Sequence, residues 1–508
     1  MTQNTTDQFF KNPVLGHPPG LFILFFTEMW ERFSFYGMRS LLILFLTATA
    51  MDGGWGWSRE TASSLFGSYV GLVYLSTMMG GYFADKKIGY RWAVVVGACL
   101  MTLGHASMAV ETEFSIYLGL VLLVFGNGFF FFFLVSIISE MYKERPDKKD
   151  GAYTLFYMGV NAGAFFGILL CGYLGEKVGW SYGFGLAGIF MFFGMLQFWL
   201  SQSIFGNIGL KPNKESKAKI EISDSDKRNP FTPIQLGLIG IMVTLGLLWI
   251  LNAPVSKISG GKIDVFGFLG ENGNAIAILT ALILFVLLLV YRFTQYSQIT
   301  RQKLMAVTFF AFLTIFFWAI FEQSPNSLTI FAKDYTNRVL EGNWIVIFLV
   351  VNSLMTILPL VIITWVLTLL FKQTFKQFTL ASVILSSSFV IIWSIALWML
   401  VKDYYTAGFL FLSDETLVFL KIEKVTVPLT EVPATWFSTL NSLFIISLAP
   451  LFSKWWESKY NPSANYKYGI GTLLLALGMA CIAFGASGIE PGAKTASGSM
   501  IWWSLVYL

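Results

Sequence analysis

A succession of apolar runs, most of them close to a bilayer's width in length, follows one another down this chain with short polar segments between them. No other feature restricts its fold as tightly. The runs lie near 21–48, 63–84, 92–110, 115–139, 154–175, 183–204, 235–252, 274–291, 304–332, 343–371, 378–401, 436–453 and 469–487, and a last one begins near 499. A hydrocarbon core about 30 Å thick takes about 20 residues of helix to cross, and backbone inside it must satisfy its own hydrogen bonds. Each run therefore reads as a spanning helix, some by including their flanks, and the chain is predicted to be an all-α polytopic membrane protein. Its charged fraction agrees, at 12% against roughly 25% for an ordinary soluble domain.

Numbering the runs alternately collects the basic residues on one side. Lys11, Lys86, Lys87, Arg91, Lys143, Arg145, Lys148, Lys149, Lys211 through Arg228, Arg292, Arg301, Lys303, Lys372, Lys376, Lys454, Lys459 and Lys467 share it. That side holds 22 of the 34 basic residues, the other holds 10, and two lie in the first run. Loops rich in Lys and Arg stay in the cytoplasm, so the N-terminus is predicted to be cytoplasmic. The first 20 residues have no apolar core, so no cleavable signal peptide is expected before the first span. The longest polar stretch, Asn207 to Pro233, reads as a cytoplasmic linker between two bundles.

The first run breaks the apolar pattern. Thr27 to Arg39, TEMWERFSFYGMR, places Glu28, Glu31, Arg32 and Arg39 at its centre. A charge there costs about 2.5–3.5 kcal/mol, so four cost on the order of 10 kcal/mol, while a Leu or Phe returns only about 0.5 kcal/mol. The charges must face protein or water. At about 100° per residue, Glu28, Glu31, Arg32, Phe35, Tyr36 and Arg39 fall within an arc of roughly 140°, so one face of this helix lines a polar cavity. Such a cluster either orders the bundle as buried ion pairs or does work. Two carboxylates beside two guanidiniums, within reach of water, can take up and release protons or grip a charged solute.

Other chemistries find no support. Cys99, Cys171 and Cys481 sit in apolar runs without a spacing pattern, which suggests packing rather than a disulfide or metal site. The two histidines, His17 in the N-terminal tail and His105 in the third run, make neither a relay nor a metal cluster. No phosphate-binding loop argues for ATP-driven transport, and no nucleophile with base and orienter can be assembled. No enzyme activity, cofactor or metal is expected, and the basic residues track topology rather than a nucleic acid.

ExxERFxxYG, as Glu28, Glu31, Arg32, Phe33, Tyr36 and Gly37, resembles the first-helix signature of the proton-dependent oligopeptide transporter family (POT, or PTR) of the major facilitator superfamily. GGYFADKKIGYR, from Gly80 to Arg91, resembles the superfamily's loop motif. In it Gly81 and Gly89 accompany Asp85, Lys86 and Arg91, glycine lets helices approach closely, and the charges can form a cytoplasmic network. FYMGVNAGAF from Phe156, FFWAIFEQ from Phe316 and WFSTLNSLFIISLAP from Trp436 follow in the family's order. The resemblance covers most of the chain. It implies a major facilitator fold of two six-helix bundles: residues 1–206 form the first, 207–303 a linker with an inserted helix pair, and 304–508 the second as far as it goes. A second inserted pair, 343–401, falls between core helices 7 and 8, outside the family's usual plan. Either pair reads as lipid-facing packing or as a docking surface for a protein partner.

The roles the resemblance implies are those of a proton-coupled importer of di- and tripeptides in the bacterial inner membrane. Arg32 and Tyr36 match residues that hold the peptide carboxylate. Arg39 and Glu322 match a gating pair between the bundles. Tyr69, Asn161, Trp318 and Asn441 match pocket positions, the asparagines near the peptide's amino end. Glu28 and Glu31 match the proton-coupling glutamates. For each aromatic, packing is the competing reading, and for the asparagines an interhelical hydrogen bond.

Three departures remain. GNGFF at Gly126 usually continues with a carboxylate-binding lysine, but this chain has Phe131, Phe132 and Phe133. Arg32 and Arg39 then hold the carboxylate alone, or the pocket takes another small organic anion, or the protein is a transporter-shaped scaffold or sensor. The segment 403–434 reads as an extracytoplasmic β-hairpin. SMIWWSLVYL resembles the opening of the tenth core helix, so either the chain continues past Leu508, the favoured reading because an exposed half-bundle would leave packing faces unpaired, or its second bundle departs from the family.

Overall fold

The computed structural model describes residues 9–10, 12–130, 133–211, 229–425, 427–456 and 460–507. Phe131, Phe132, the linker residues 212–228, Lys11 and Lys459 lie outside these. Its helices are α1 (Pro19–Thr47), α2 (Arg59–Phe83), α3 (Tyr90–Met108), α4 (Glu113–Phe130), α5 (Phe133–Met141), α6 (Pro146–Lys177), α7 (Trp180–Ser201), α8 (Pro233–Ile258) and α9 (Gly273–Thr294). They continue with α10 (Gln298–Phe321), α11 (Thr329–Tyr335), α12 (Asn343–Thr374), α13 (Thr379–Thr406), α14 (Asp414–Leu420), α15 (Thr439–Trp456), α16 (Ala464–Ala486) and α17 (Ile501–Tyr507). Among the described residues, 9 segments are long and apolar enough to cross a membrane. α1 falls outside that count because its central charges dilute an otherwise apolar run.

The chain forms two compact units, one of Met1–Phe45, Ser76–Lys211 and Ser327–Leu508, the other of Leu46–Leu75 and Pro212–Asn326. In the first, α1 is buried almost throughout. Phe33 and Trp30 each lie 4.5 Å from the Phe190 ring of α7, and Phe26 and Trp30 each lie 5.6 Å from Phe389 of α13. The inserted helix α13 thus packs on the back of α1.

The second unit contains the other inserted pair, α8–α9, which is tied at both ends. Thr232 and Gln235 form a capping box that opens α8. Arg292 of α9 donates to Asn229 O at 2.6 Å and to Tyr296 Oη at 2.5 Å, over the Phe231 ring. At the far end, Asn252 donates to Asp264 at 2.9 Å and Asn274 at 2.8 Å, and accepts from Val265 N. Pro254 leaves the carbonyl of Ile250 without its usual amide, and Ser68 of α2 donates to it at 2.6 Å. Arg292→Met strands Asn229 O and Tyr296 Oη and is expected to cost about 2 kcal/mol. In detergent, the thermal midpoint should then fall by about 2 °C.

The segment 403–434 is not a hairpin. Ser413 caps α14 by accepting from Thr416 N, and Asp414 and Glu415 occupy the helix's positive first turn. Within α14 Leu417 is the buried residue, so this part of the run is satisfied as about two helical turns. The strand signal is real further on, but its partner is distant: β2 (Thr430–Glu431) pairs antiparallel with β1 (Val339–Leu340).

Candidate functional site

Arg32 is the centre of the charged face of α1. Its Nε lies 2.8 Å from Glu28 Oε1 and 2.7 Å from Glu31 Oε2. Glu31 has no exposure, and Glu28 and Arg32 retain 8% each. With both carboxylates ionised, this triad carries one uncompensated negative charge, the amount that a single proton neutralises. Buried charge is costly unless compensated, which is why the guanidinium sits between the two carboxylates. Its backbone is held by close approach to α6, because a Cβ at Gly163 would lie 2.2 Å from Met29 O and 2.9 Å from Arg32 Cβ. A larger side chain there would push Arg32 off its carboxylates.

Sequence reasoning missed one member of this cluster. Asn127 of α4 is 2% exposed and directs Nδ2 to Glu31 Oε1 at 3.4 Å. It stands inside the GNGFF motif, two residues ahead of the first phenylalanine of a run that drew attention away from it. Two turns along α1 from the triad, Arg39 is buried over the rings of Phe35, at 5.7 Å, and Tyr36, at 5.8 Å. Arg32 lies 5.8 Å from the same Phe35 ring.

Asn161 and Asn441 belong to the same unit. Asn161, on α6, is buried and donates to Tyr157 O at 2.9 Å, a turn back on its own helix. Asn441, on α15, is half-buried.

Trp318, Glu322 and Tyr69 fall in the second unit. A cavity of about 500 Å³ there is walled by Phe66, Val70, Tyr74, Trp318, Glu322, Gln323 and Asn326. Tyr74 donates its hydroxyl to Glu322 Oε1 at 3.3 Å, and its ring sits 6.1 Å from that of Trp318. Tyr69, one helical turn before Val73, is 3% exposed. Ser63 donates to Asn326 at 2.9 Å and fixes one rim. Aromatic walls with a few directed polar groups are the usual makeup of a small-molecule pocket.

The loop motif is built differently from expectation. Gly80, not Gly81, allows the close helix contact: a Cβ there would lie 1.8 Å from Gly128 O, whereas nothing stands within 4 Å at Gly81. Gly89 turns the chain with φ +80°. Arg91 is buried and donates to Ile208 O at 2.6 Å and Gly206 O at 2.5 Å, rather than joining Asp85 in a charge network. Lys86 lies over the Tyr82 ring at 4.5 Å. Backbone carbonyls at the exit of α7 gave the guanidinium a closer, desolvated partner than the exposed Asp85. Phe133, the last of the phenylalanine run, stacks on Tyr90 at 5.5 Å.

A profile of the POT family matches residues 91–401. The peptide transporter YePEPT of Yersinia enterocolitica subsp. palearctica is 35% identical over 478 residues, 93% of this chain and 74% of that protein. A di-/tripeptide transporter of Lactococcus lactis subsp. cremoris is 31% identical over 345 residues, 67% of this chain and 65% of that one. Among solved structures, the crystal structure of a peptide transporter POT in complex with sulfate has a TM-score of 0.62 and 25% identity, covering 99% of this chain and 82% of that one.

Proposed function

Because the chain belongs to the POT family of membrane transporters, we propose that it imports di- and tripeptides together with protons, by alternating access, across a bacterial inner membrane in which its N-terminus is cytoplasmic. The observation that carries this reading is the shared Arg32 Nε between Glu28 and Glu31 on a buried helix face. A proton arriving at the triad weakens one of the two ion pairs and releases the guanidinium toward a solute carboxylate. Proton and peptide therefore bind in a linked way, which biases the equilibrium between outward- and inward-open states.

The remaining roles follow from chemistry. Arg32 with Tyr36 presents a guanidinium and a hydroxyl to the peptide carboxylate, the combination that recognises it best. Asn161 and Asn441 offer amide oxygens to the ammonium end. Tyr69 and Trp318 wall side-chain pockets. Arg39 and Glu322 are the residues assigned to gating, and Tyr74 holds Glu322 within its own unit. Two of its relatives, a peptide transporter and a di-/tripeptide transporter, favour peptides over other organic anions.

Solute identity is tested by counterflow in proteoliposomes preloaded with unlabelled di-alanine, without a proton gradient. Labelled di-alanine is expected to accumulate transiently, with competition from tripeptides and none from free alanine. Competition by small organic anions with no effect of peptides would overturn the choice of solute. Asn161→Ala is expected to raise the KM for di-alanine by about tenfold, as loss of one hydrogen bond to a charged group would.

A further inference from the structure

The second inserted pair ends against α6. Tyr173 of α6 is buried and donates its hydroxyl to Asp403 Oδ1 of α13 at 2.6 Å, and Asn352 of α12 donates to Asp403 Oδ2 at 3.0 Å. The Tyr173 ring also stacks on Trp436, with centroids 6.0 Å apart, while Phe348 of α12 stacks on Trp436 at 5.7 Å. Inserted helices therefore touch both the tyrosine and the tryptophan that it supports.

One turn further along α6, Glu176 accepts from Ala434 N at 2.8 Å, Thr435 N at 2.9 Å and Thr435 Oγ1 at 2.7 Å. Next to it Lys177 meets Glu431 at 2.9 Å, and the other oxygen of Glu431 meets Arg338 at 2.7 Å. Lys402 of α13 donates to Lys177 O at 3.0 Å, and Thr406 O accepts from Leu429 N at 3.2 Å. The end of α13 thus holds both the last turn of α6 and the strand that leads to α15. Direct contact is equally tight, since a Cβ at Gly172 would lie 2.2 Å from Thr435 Oγ1.

In an alternating-access carrier, helices of the two halves part on one membrane side at a time, and an interface of this kind is bistable rather than elastic. α6 lies in the first half of the chain and α15 in the second. We propose that Tyr173, Glu176 and Lys177, braced by Asn352, Lys402 and Asp403 of the inserted pair, form a latch that holds the membrane side opposite the N-terminus closed. These are positioning residues, and none is assigned to the peptide. Their action rests on the alternating-access reading but not on the identity of the solute.

Hydrogen exchange on the full chain in lipid nanodiscs tests the latch without any substrate. The amides of Ala434 and Thr435 donate to the Glu176 carboxylate, so their protection reports its closure. Glu176→Gln is expected to raise their exchange by about tenfold, the loss of about one charged hydrogen bond. Asp403→Ala touches neither amide and is expected to raise the same exchange several-fold, with the amides of α8 and α9 unchanged. Tyr173→Phe, which deletes only the hydroxyl, should do likewise and decides the matter if Asp403→Ala does not fold. Wild-type protection at 434–435 in folded Asp403→Ala and Tyr173→Phe would overturn the proposal, as would a rise shared equally by α8 and α9. Failure of peptide counterflow would leave this result unchanged, so the two readings fail separately.

Discussion

Glu31→Gln is expected to reduce gradient-driven accumulation of di-alanine to the level of empty liposomes while counterflow persists at a reduced rate. The glutamine keeps the shape and one acceptor of the side chain but cannot release a proton at any working pH. Glu31 has no solvent exposure, so water cannot substitute for the lost carboxylate. Counterflow needs only that Arg32 still be positioned, and Glu28 remains 2.8 Å from its Nε. Loss of one contact to the guanidinium should slow counterflow by no more than about tenfold, equivalent to about 1.4 kcal/mol. Equal loss of both activities would mean that Glu31 positions Arg32 and carries no coupling proton.

Arg32→Met is expected to be the most destabilising change on this face of α1. It leaves Glu28 and Glu31 buried against each other without a cation, and breaking a buried ion pair from one side costs about 3–5 kcal/mol. Low yield and a sharply lowered thermal midpoint in detergent should follow. Adding Glu31→Gln to Arg32→Met removes one of the stranded charges and should recover much of that loss. Arg32→Lys keeps the charge but places its ammonium one bond beyond the position of Nε and concentrates it at a point, so its midpoint should lie between. A double variant no more stable than Arg32→Met alone would show that the glutamates do not depend on this arginine.

The spanning helices were legible because a bilayer accepts only apolar runs of a certain length. The charged face of α1 was legible because charges at that depth need a reason. Both arguments concern the solvent and do not require knowledge of any partner residue. Where partners decide, the sequence was a poorer guide. Asn127 reaches Glu31 from another helix, and no local pattern marks an asparagine for that contact. Arg91 had a nearby acid in sequence but nearer carbonyls in space. The segment 403–434 carries a strand signal whose partner, Val339–Leu340, lies about ninety residues back, while its middle was claimed by a short capped helix. The inserted pair 343–401 offered two readings from sequence, lipid-facing packing or a docking surface. Phe389 against Phe26 and Trp30, and Asp403 against Tyr173, show one face of it docked within the chain itself.

Proton movement caused by peptide is the most direct measurement of the central claim. Proteoliposomes containing the full protein and a trapped pH-sensitive dye, held at a membrane potential negative inside and with no initial pH difference, are mixed with di-alanine. The lumen is expected to acidify on addition of peptide, at a rate that saturates with peptide concentration, and not to acidify with Glu31→Gln. Uptake of labelled di-alanine without any acidification in the wild-type protein would contradict proton coupling at the Glu28, Glu31 and Arg32 triad.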